Sequence, residues 1–265
     1  MIVIGEMINA SGKKTKEAIL NRDSDFIANL AQKQADAGAD FIDVNVATGS
    51  GEESGEVEDM KWAVEVVKNA VDKPLAIDTT DYHVLEAGLE LGGDNTFINS
   101  VNAEGDRLDS FLDLAKKYNA PTVALPIRDK IPETVEGRLE VCQEIIDQAD
   151  NKGVPRENLY FDPLAMPVSV DSNSAQLTLE TLKKIKEYQG VQSTVGLSNI
   201  SFGLPNRELV NNSFLLLAMQ VGLDSAIMNP LGKGAMGVIK AGNVLLGKDN
   251  MCAEYLKAYR KGMLE

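Results

Sequence analysis

Short apolar runs recur along this chain, and five of them end on an acid or a carboxamide: Phe41-Ile42-Asp43-Val44-Asn45, Leu75-Ala76-Ile77-Asp78, Thr96-Phe97-Ile98-Asn99, Leu159-Tyr160-Phe161-Asp162 and Val195-Gly196-Leu197-Ser198-Asn199. Stretches with helical spacing separate them, so the runs read as parallel strands and the polar residues collect at strand carboxyl ends. The alternation runs the length of the chain with short connections, as in repeated βα units. It predicts strand one at 2–5, a polar loop through Ser11-Gly12-Lys13-Lys14 and a helix at 24–37. Strand two ends at Val46, and a loop rich in glycine and acids, 48–55, leads to a helix at 58–71. Strand three ends at Asp78, a helix follows at 84–91, strand four is 96–100 and the next helix 107–118. Strand five is 122–125, and the stretch 134–151 is amphipathic with Leu139, Cys142, Ile145 and Ile146 on one face. Strand six is 159–161, then a helix at 176–188, strand seven at 194–197, a helix at 211–221 and strand eight at 225–228, with closing helices at 237–246 and 254–261.

Eight such units in 265 residues fit one α/β domain, a single (β/α)8 TIM barrel spanning 1–265. A hydrophobic fraction of 44% supports a large core, while apolar stretches such as 214–219 are far too short for a membrane span. Met1 runs directly into strand one without a basic and apolar leader, so the chain is expected to be cytoplasmic. Cys142 and Cys252 cannot make a disulfide framework and have no Cys or His at metal-ligand spacing, so both read as structural thiols and no metal is expected. A formal charge of −14 without a Lys/Arg cluster argues against nucleic acid.

The strand ends offer carboxylates and carboxamides and almost nothing else, an inventory suited to gripping a flat, nitrogen-rich heterocycle by matched hydrogen bonds. Asp78 and Asp162 are candidates for its donor edge, Asn99 supplies a donor and an acceptor, and Gly196 lets a ligand come close to the backbone next to Asn199. Each has a plainer reading, because Asp and Asn at strand ends commonly cap the following helix. Glu6 lines the mouth or satisfies Asn9 and nearby backbone donors. The loop glycines Gly49, Gly51 and Gly55 lack the following Lys of a phosphate loop and read as connection only. His83 reads as packing or capping, and Met60 and Trp62 as outer-layer packing.

Six segments in order carry a more specific signal: Gly5-Glu6-Met7-Ile8-Asn9, Asp43-Val44-Asn45-Val46, Ile77-Asp78-Thr79, Ile98-Asn99-Ser100-Val101-Asn102-Ala103-Glu104, Asp162-Pro163-Leu164, and Gly196-Leu197-Ser198-Asn199-Ile200-Ser201-Phe202-Gly203 through Asn206-Arg207. Together they resemble the pterin-binding methyltransferases, above all the free-standing methyltetrahydrofolate:corrinoid protein methyltransferases, which share a barrel with dihydropteroate synthase and with the folate domain of cobalamin-dependent methionine synthase. The resemblance implies that Asp78, Asn99 and Asp162 hold the pterin. It puts Asp43, Asn45, Ser198 and Arg207 around it, and makes Asn199 the group that shifts toward nitrogen 5 and stabilises its protonated form; the residues themselves add Gly196 and Glu6 as lining and Asp43 as a carboxylate placed to bias the proton supply. At Phe202 the chain matches the methionine synthase branch, not the corrinoid/iron-sulfur branch, which has Gln. The implied reaction moves a methyl group between tetrahydrofolate and a corrinoid (cobalamin) carried on a separate protein, in either direction; a homodimer is implied by the same analogy. The alternatives are a dihydropteroate synthase-like enzyme and a noncatalytic pterin-binding subunit of a methyl-transfer complex.

Overall fold

The computed structural model describes residues 1–49 and 53–264. Its strands are β1 (Ile2–Asn9), β2 (Phe41–Asn45), β3 (Leu75–Asp78), β4 (Phe97–Asn102), β5 (Thr122–Leu125), β6 (Leu159–Phe161), β7 (Gln192–Ser193) and β8 (Ser225–Met228). All neighbours pair in parallel, in the order β7-β6-β5-β4-β3-β2-β1-β8. The helices are α1 (Lys13–Leu20), α2 (Ser24–Ala37), α3 (Glu53–Ala70), α4 (Tyr82–Gly92), α5 (Arg107–Tyr118), α6 (Val135–Lys152), α7 (Ser174–Ile185), α8 (Arg207–Gln220), α9 (Ala235–Leu245) and α10 (Ala253–Arg260). The eight βα units of the sequence reading are thus present, with the expected closing helix as α10 and with α1 as an added helix. No helix among the described residues is long and apolar enough to cross a membrane.

The barrel interior follows from the period of two along each strand. Ile4, Phe41, Ala76, Phe97 and Val123 form one apolar cluster, with Ile2, Leu125, Tyr160 and Ile227 against it. Phe41 and Phe97 meet edge-on at 4.8 Å between ring centroids, and Phe97 meets Tyr160 at the same separation. The alternate positions, Val3, Ile42, Leu75, Ile77 and Ile98, pack outward under the helices in the larger core. There the expected α6 face holds: Cys142, Ile145 and Ile146 are buried and Leu139 packs beside them. Met60 is buried, and Trp62 packs against the core while its Nε1 donates to Ser24 Oγ. Burial pushes the Cys142 thiol up to about 12, so it stays protonated and unreactive.

Several boundaries differ from the sequence reading, for local physical reasons. The loop expected before α2 contains α1, a short helix whose buried residues are only Thr15, Ala18 and Ile19 and whose apolar signal is correspondingly thin. Strand one continues to Asn9 through a register irregularity between Gly5 and Ile8. There the freed Met7 N–H donates to Gln34 Oε1 from α2. A Cβ at Gly5 would lie 2.5 Å from that same oxygen, so this position excludes a side chain. The loop 48–55 includes Ser50, Gly51 and Glu52, which lie outside the described residues.

Strand seven is the largest correction: expected at 194–197, it is Gln192–Ser193. The chain beyond still closes the barrel, since Ile227 N donates to Val195 O at 2.9 Å, but the next donor, Gly196 N, goes to the Asp162 carboxylate and the backbone turns into a short 3-10 segment, Leu197–Ser201. At the opposite end of this seam, Asp224 Oδ2 accepts from Ser193 N, Ser193 Oγ and Lys186 Nζ at 2.8, 2.8 and 2.5 Å. With so few ladder bonds between β7 and β8, this carboxylate is a main fastening. Asp224→Ala is expected to lower stability by about 2 kcal/mol, read as a reduced urea midpoint at unchanged slope.

Candidate functional site

Two residues beyond each interior apolar side chain, the same strand face reaches the carboxyl-terminal rim. Stepping from Ile4, Phe41, Ala76, Phe97, Val123 and Tyr160 gives Glu6, Asp43, Asp78, Asn99, Leu125 and Asp162. The rim is therefore an inward-facing polar layer on top of an apolar plug, interrupted only at β5. None of Asp43, Asp78, Asn99 and Asn199 caps a helix. Among the described residues the side chains that accept at helix starts include Asp23, Asp81, Thr134 and Asp249, which sit in the loops, and His83 gives its backbone N–H to Asp81 and meets the Tyr82 ring edge-on.

The rim divides into three linked groups. In the first, Asn99 Nδ2 donates to Asp43 Oδ1 at 2.9 Å, with both side chains buried. Asp78 beside them accepts from Asn45 and, at 3.5 Å, from Asn9 Nδ2. Asn45 and Asn9 also use their side-chain oxygens to fold the backbone, accepting from Ala47 N and Ser11 N. In the second, Asp162 accepts from Leu164 N at 2.7 Å through one oxygen and from Gly196 N at 2.9 Å through the other. A Cβ on Gly196 would lie 3.1 Å from Asn199 Nδ2 and 3.7 Å from Asp162 Oδ2, so glycine here keeps the amide and the acid facing one space. In the third, Ser198 Oγ donates to Glu6 Oε1 at 2.5 Å, and Arg207 donates to Ser198 O and Ser201 Oγ at 2.5 and 3.0 Å. The Arg207 guanidinium lies over the exposed Phe202 ring.

Three further residues belong here. Arg138 of α6 is 2% exposed and donates to Pro132 O, Pro163 O and Leu164 O, fixing the loop after Asp162 from below. In the sequence it reads as solvated surface, yet it lies four residues before Cys142 on the apolar face, the one signal that marks it as buried. That loop includes Leu164 at φ 63°, a left-handed backbone state costing a branched residue about 1–3 kcal/mol. Asn9 and Asn102 both lie in segments singled out above, but neither stands out singly; Asn102 is buried with no hydrogen-bond partner for its Oδ1.

The acids sit in a poorly hydrated ring, and burial is the leading cause of every shift. Asp78 and Asp162 are each pushed from 3.8 up to about 6, against the Asn45 hydrogen bond in one case and the Gly196 and Leu164 N–H groups in the other. Asp43 rises well above the carboxylate range by burial, then by the negative charges of Asp78 and Glu6, with Asn99 opposing. Glu6 rises by burial, opposed by Ser198 and Arg207. A cavity of about 270 Å³ opens beside this ring, lined by Glu6, Ser198, Arg207, Asn211 and Asn229 among others. A larger one, about 620 Å³, lies at the other pole between the carboxyl ends of α3 and α4; size alone points to the wrong end of the barrel.

Raised acid pKa values favour the folded state at low pH. The contribution of Asp78 and Asp162 is complete below about pH 4 and is lost as pH rises through about 6. Asp78→Asn is therefore expected to stabilise the ligand-free protein at pH 8 by about 2 kcal/mol, with the gain vanishing near pH 4 in paired thermal melts.

Comparison with known proteins agrees with this geometry. The family model described as pterin binding enzyme matches residues 5–229. The chain is 38% identical over 269 residues to the methylcorrinoid:tetrahydrofolate methyltransferase of Eubacterium limosum, covering 100% of this chain and 98% of that protein. It is 34% identical over 246 residues to methionine synthase of Mycobacterium leprae (strain TN), covering 86% of this chain and 20% of that longer protein. Among solved structures, dihydropteroate synthase from Xanthomonas albilineans in complex with 7,8-dihydropteroate superposes with a TM-score of 0.69 at 19% identity over 92% of both chains, a likeness of fold. From β1 through β8 and across the whole acid-and-amide rim, the chain belongs to the pterin-binding enzyme family.

Proposed function

We propose that this protein is a methyltransferase that moves a methyl group between nitrogen 5 of tetrahydrofolate and the cobalt of a corrinoid carried on a separate protein, in either direction. The observation that carries the reading is end-to-end identity of 38% with a methylcorrinoid:tetrahydrofolate methyltransferase. The rim supports it: a reduced pterin presents N–H donors and a carbonyl, and the ring offers buried acceptors in Asp43, Asp78 and Asp162.

In this reading Asp78, Asp162 and Asn99 take the pterin edge, with Asn45 and Asp43 completing the ring. Acids with pKa values near 6 accept donors when ionised and donate when protonated, so they match a ligand that has both kinds of group. Methyl on a tertiary amine departs poorly, because the leaving nitrogen is too basic until it gains a proton. Asn199 is exposed at the mouth and has no side-chain hydrogen bond among the described residues, so its amide oxygen is available to hold the N5 proton. A carboxamide has no accessible pKa, so the proton comes from water, and the Asp43 carboxyl, whose burial favours its protonated form, biases the supply. The corrinoid supplies the cobalt that takes or gives the methyl group. The protein adds orientation and proton stabilisation, which needs no Cys or Lys nucleophile. A pyrophosphate-releasing synthase reading fits less well, since Arg138 and Arg207 both engage main-chain carbonyls.

Mixing the protein with methyltetrahydrofolate and cob(I)alamin is expected to give methylcobalamin, followed by its absorbance; no turnover with tight folate binding would leave a carrier. Asn199→Ala is expected to slow transfer by about 100-fold while the folate Kd changes by less than about threefold. Asp78→Asn should do the reverse, raising the Kd at least tenfold; the opposite pattern in the two variants would displace the pterin from this ring.

A further inference from the structure

The Asn199 turn is gripped at the preceding residue from two sides. Ser198 gives its hydroxyl to Glu6 on β1, and its carbonyl accepts from Arg207 at the start of α8. Arg207 reaches on to Ser201 Oγ, so the guanidinium spans the 3-10 segment from 198 to 201. The backbone of Asn199 itself is held within the turn, its N–H to Gly196 O and its carbonyl accepting from Phe202 N. Only its amide is left over. Glu6 and Arg207 line the 270 Å³ cavity with Met7, Met228 and Asn211, and none of Asp43, Asp78, Asn99, Asp162 or Asn199 lines it. They therefore reach the turn from this cavity, and Glu6 also stands close enough to Asp43 to raise its pKa.

We propose that Glu6, Ser198 and Arg207 are positioning residues that fix the turn from which the Asn199 amide reaches the reacting nitrogen, and that they serve the site in this way instead of by gripping the pterin. The inference rests on the methyl-transfer reading above for its kinetic consequence, though not for its geometry. Glu6 is the right length for this: it sits at the β1 irregularity, where a bulge turns a side chain away from the regular ladder direction. Its partner is a hydroxyl and its nearest cation is Arg207, so the acid is anchored within the clamp. A backbone held at 198 and 199 sets the point from which the free amide reaches out, and a displacement of about 1 Å in such a group can cost a hundredfold in rate.

Stopped-flow transfer to cob(I)alamin, folate binding by fluorescence and the side-chain NH2 resonances of Asn199, assigned by their loss in Asn199→Ala, test the clamp together. Ser198→Ala and Arg207→Lys are each expected to lower the transfer rate about tenfold with the folate Kd within about twofold. Both should shift and broaden the Asn199 resonances in the ligand-free protein, and Ser198→Thr, which keeps the hydroxyl, should recover the rate to within about threefold of wild type. In an Asn199→Ala background Ser198→Ala should add less than about twofold, because both act through one group. A tenfold rise in Kd at unchanged rate, multiplying losses in the double variant, or unmoved Asn199 resonances would each overturn the proposal. A wild-type protein that transfers nothing would reject the methyl-transfer reading instead, and the resonances would still decide the clamp.

Discussion

Keeping ionisable acids out of water at the mouth of the barrel is the constraint on which the site depends. Desolvation is the largest contribution at Glu6, Asp43, Asp78 and Asp162 alike. The fold offsets it mostly with dipoles. Asn99, Asn45, Asn9, Ser198 and the Gly196 and Leu164 N–H groups make the contacts, whereas the cations Arg138 and Arg207 act on the acids only from a distance. A carboxylate paired with a guanidinium would be locked ionised. Facing amide and backbone N–H groups, Asp78 and Asp162 keep pKa values of about 6, so the rim can present either donors or acceptors.

The same constraint ties the site to the architecture. Asp162 takes the N–H that would extend β7, which ends that strand and starts the turn that carries Asn199. It also holds Leu164, whose carbonyl in turn receives Arg138 and Thr178. One side chain thus sets the end of a strand and the shape of a strained loop while facing the mouth, so its substitution affects all three at once. Asp78 has fewer structural duties, accepting only from Asn45 and Asn9 among the described residues.

Much of this was legible in the sequence because a strand end is marked by a change of polarity at a fixed phase. Strands five, six and eight and helices α2 and α5 fall where periodicity puts them, and three inward acids and the Asn99 amide follow by counting two from Phe41, Ala76, Tyr160 and Phe97. The failures share a cause: they depend on partners remote in sequence. Strand seven is cut short by an acid 34 positions away, β1 is prolonged by Gln34 meeting Met7, and Arg138 is buried because two carbonyls of another loop need donors. Glu6 was read as mouth lining, and its contact with Ser198, distant by 192 positions, appears only when the barrel closes. No local pattern carries information of that range.

The strands differ greatly in length around the barrel, from eight residues in β1 and six in β4 to three in β6 and two in β7. Beyond β7 the chain continues along the barrel as a 3-10 turn with little ladder support, so its course there is set by side-chain contacts and not by the sheet. Asn199 and the Phe202 ring stand exposed on that stretch, the part of the wall whose shape a single distant substitution can alter.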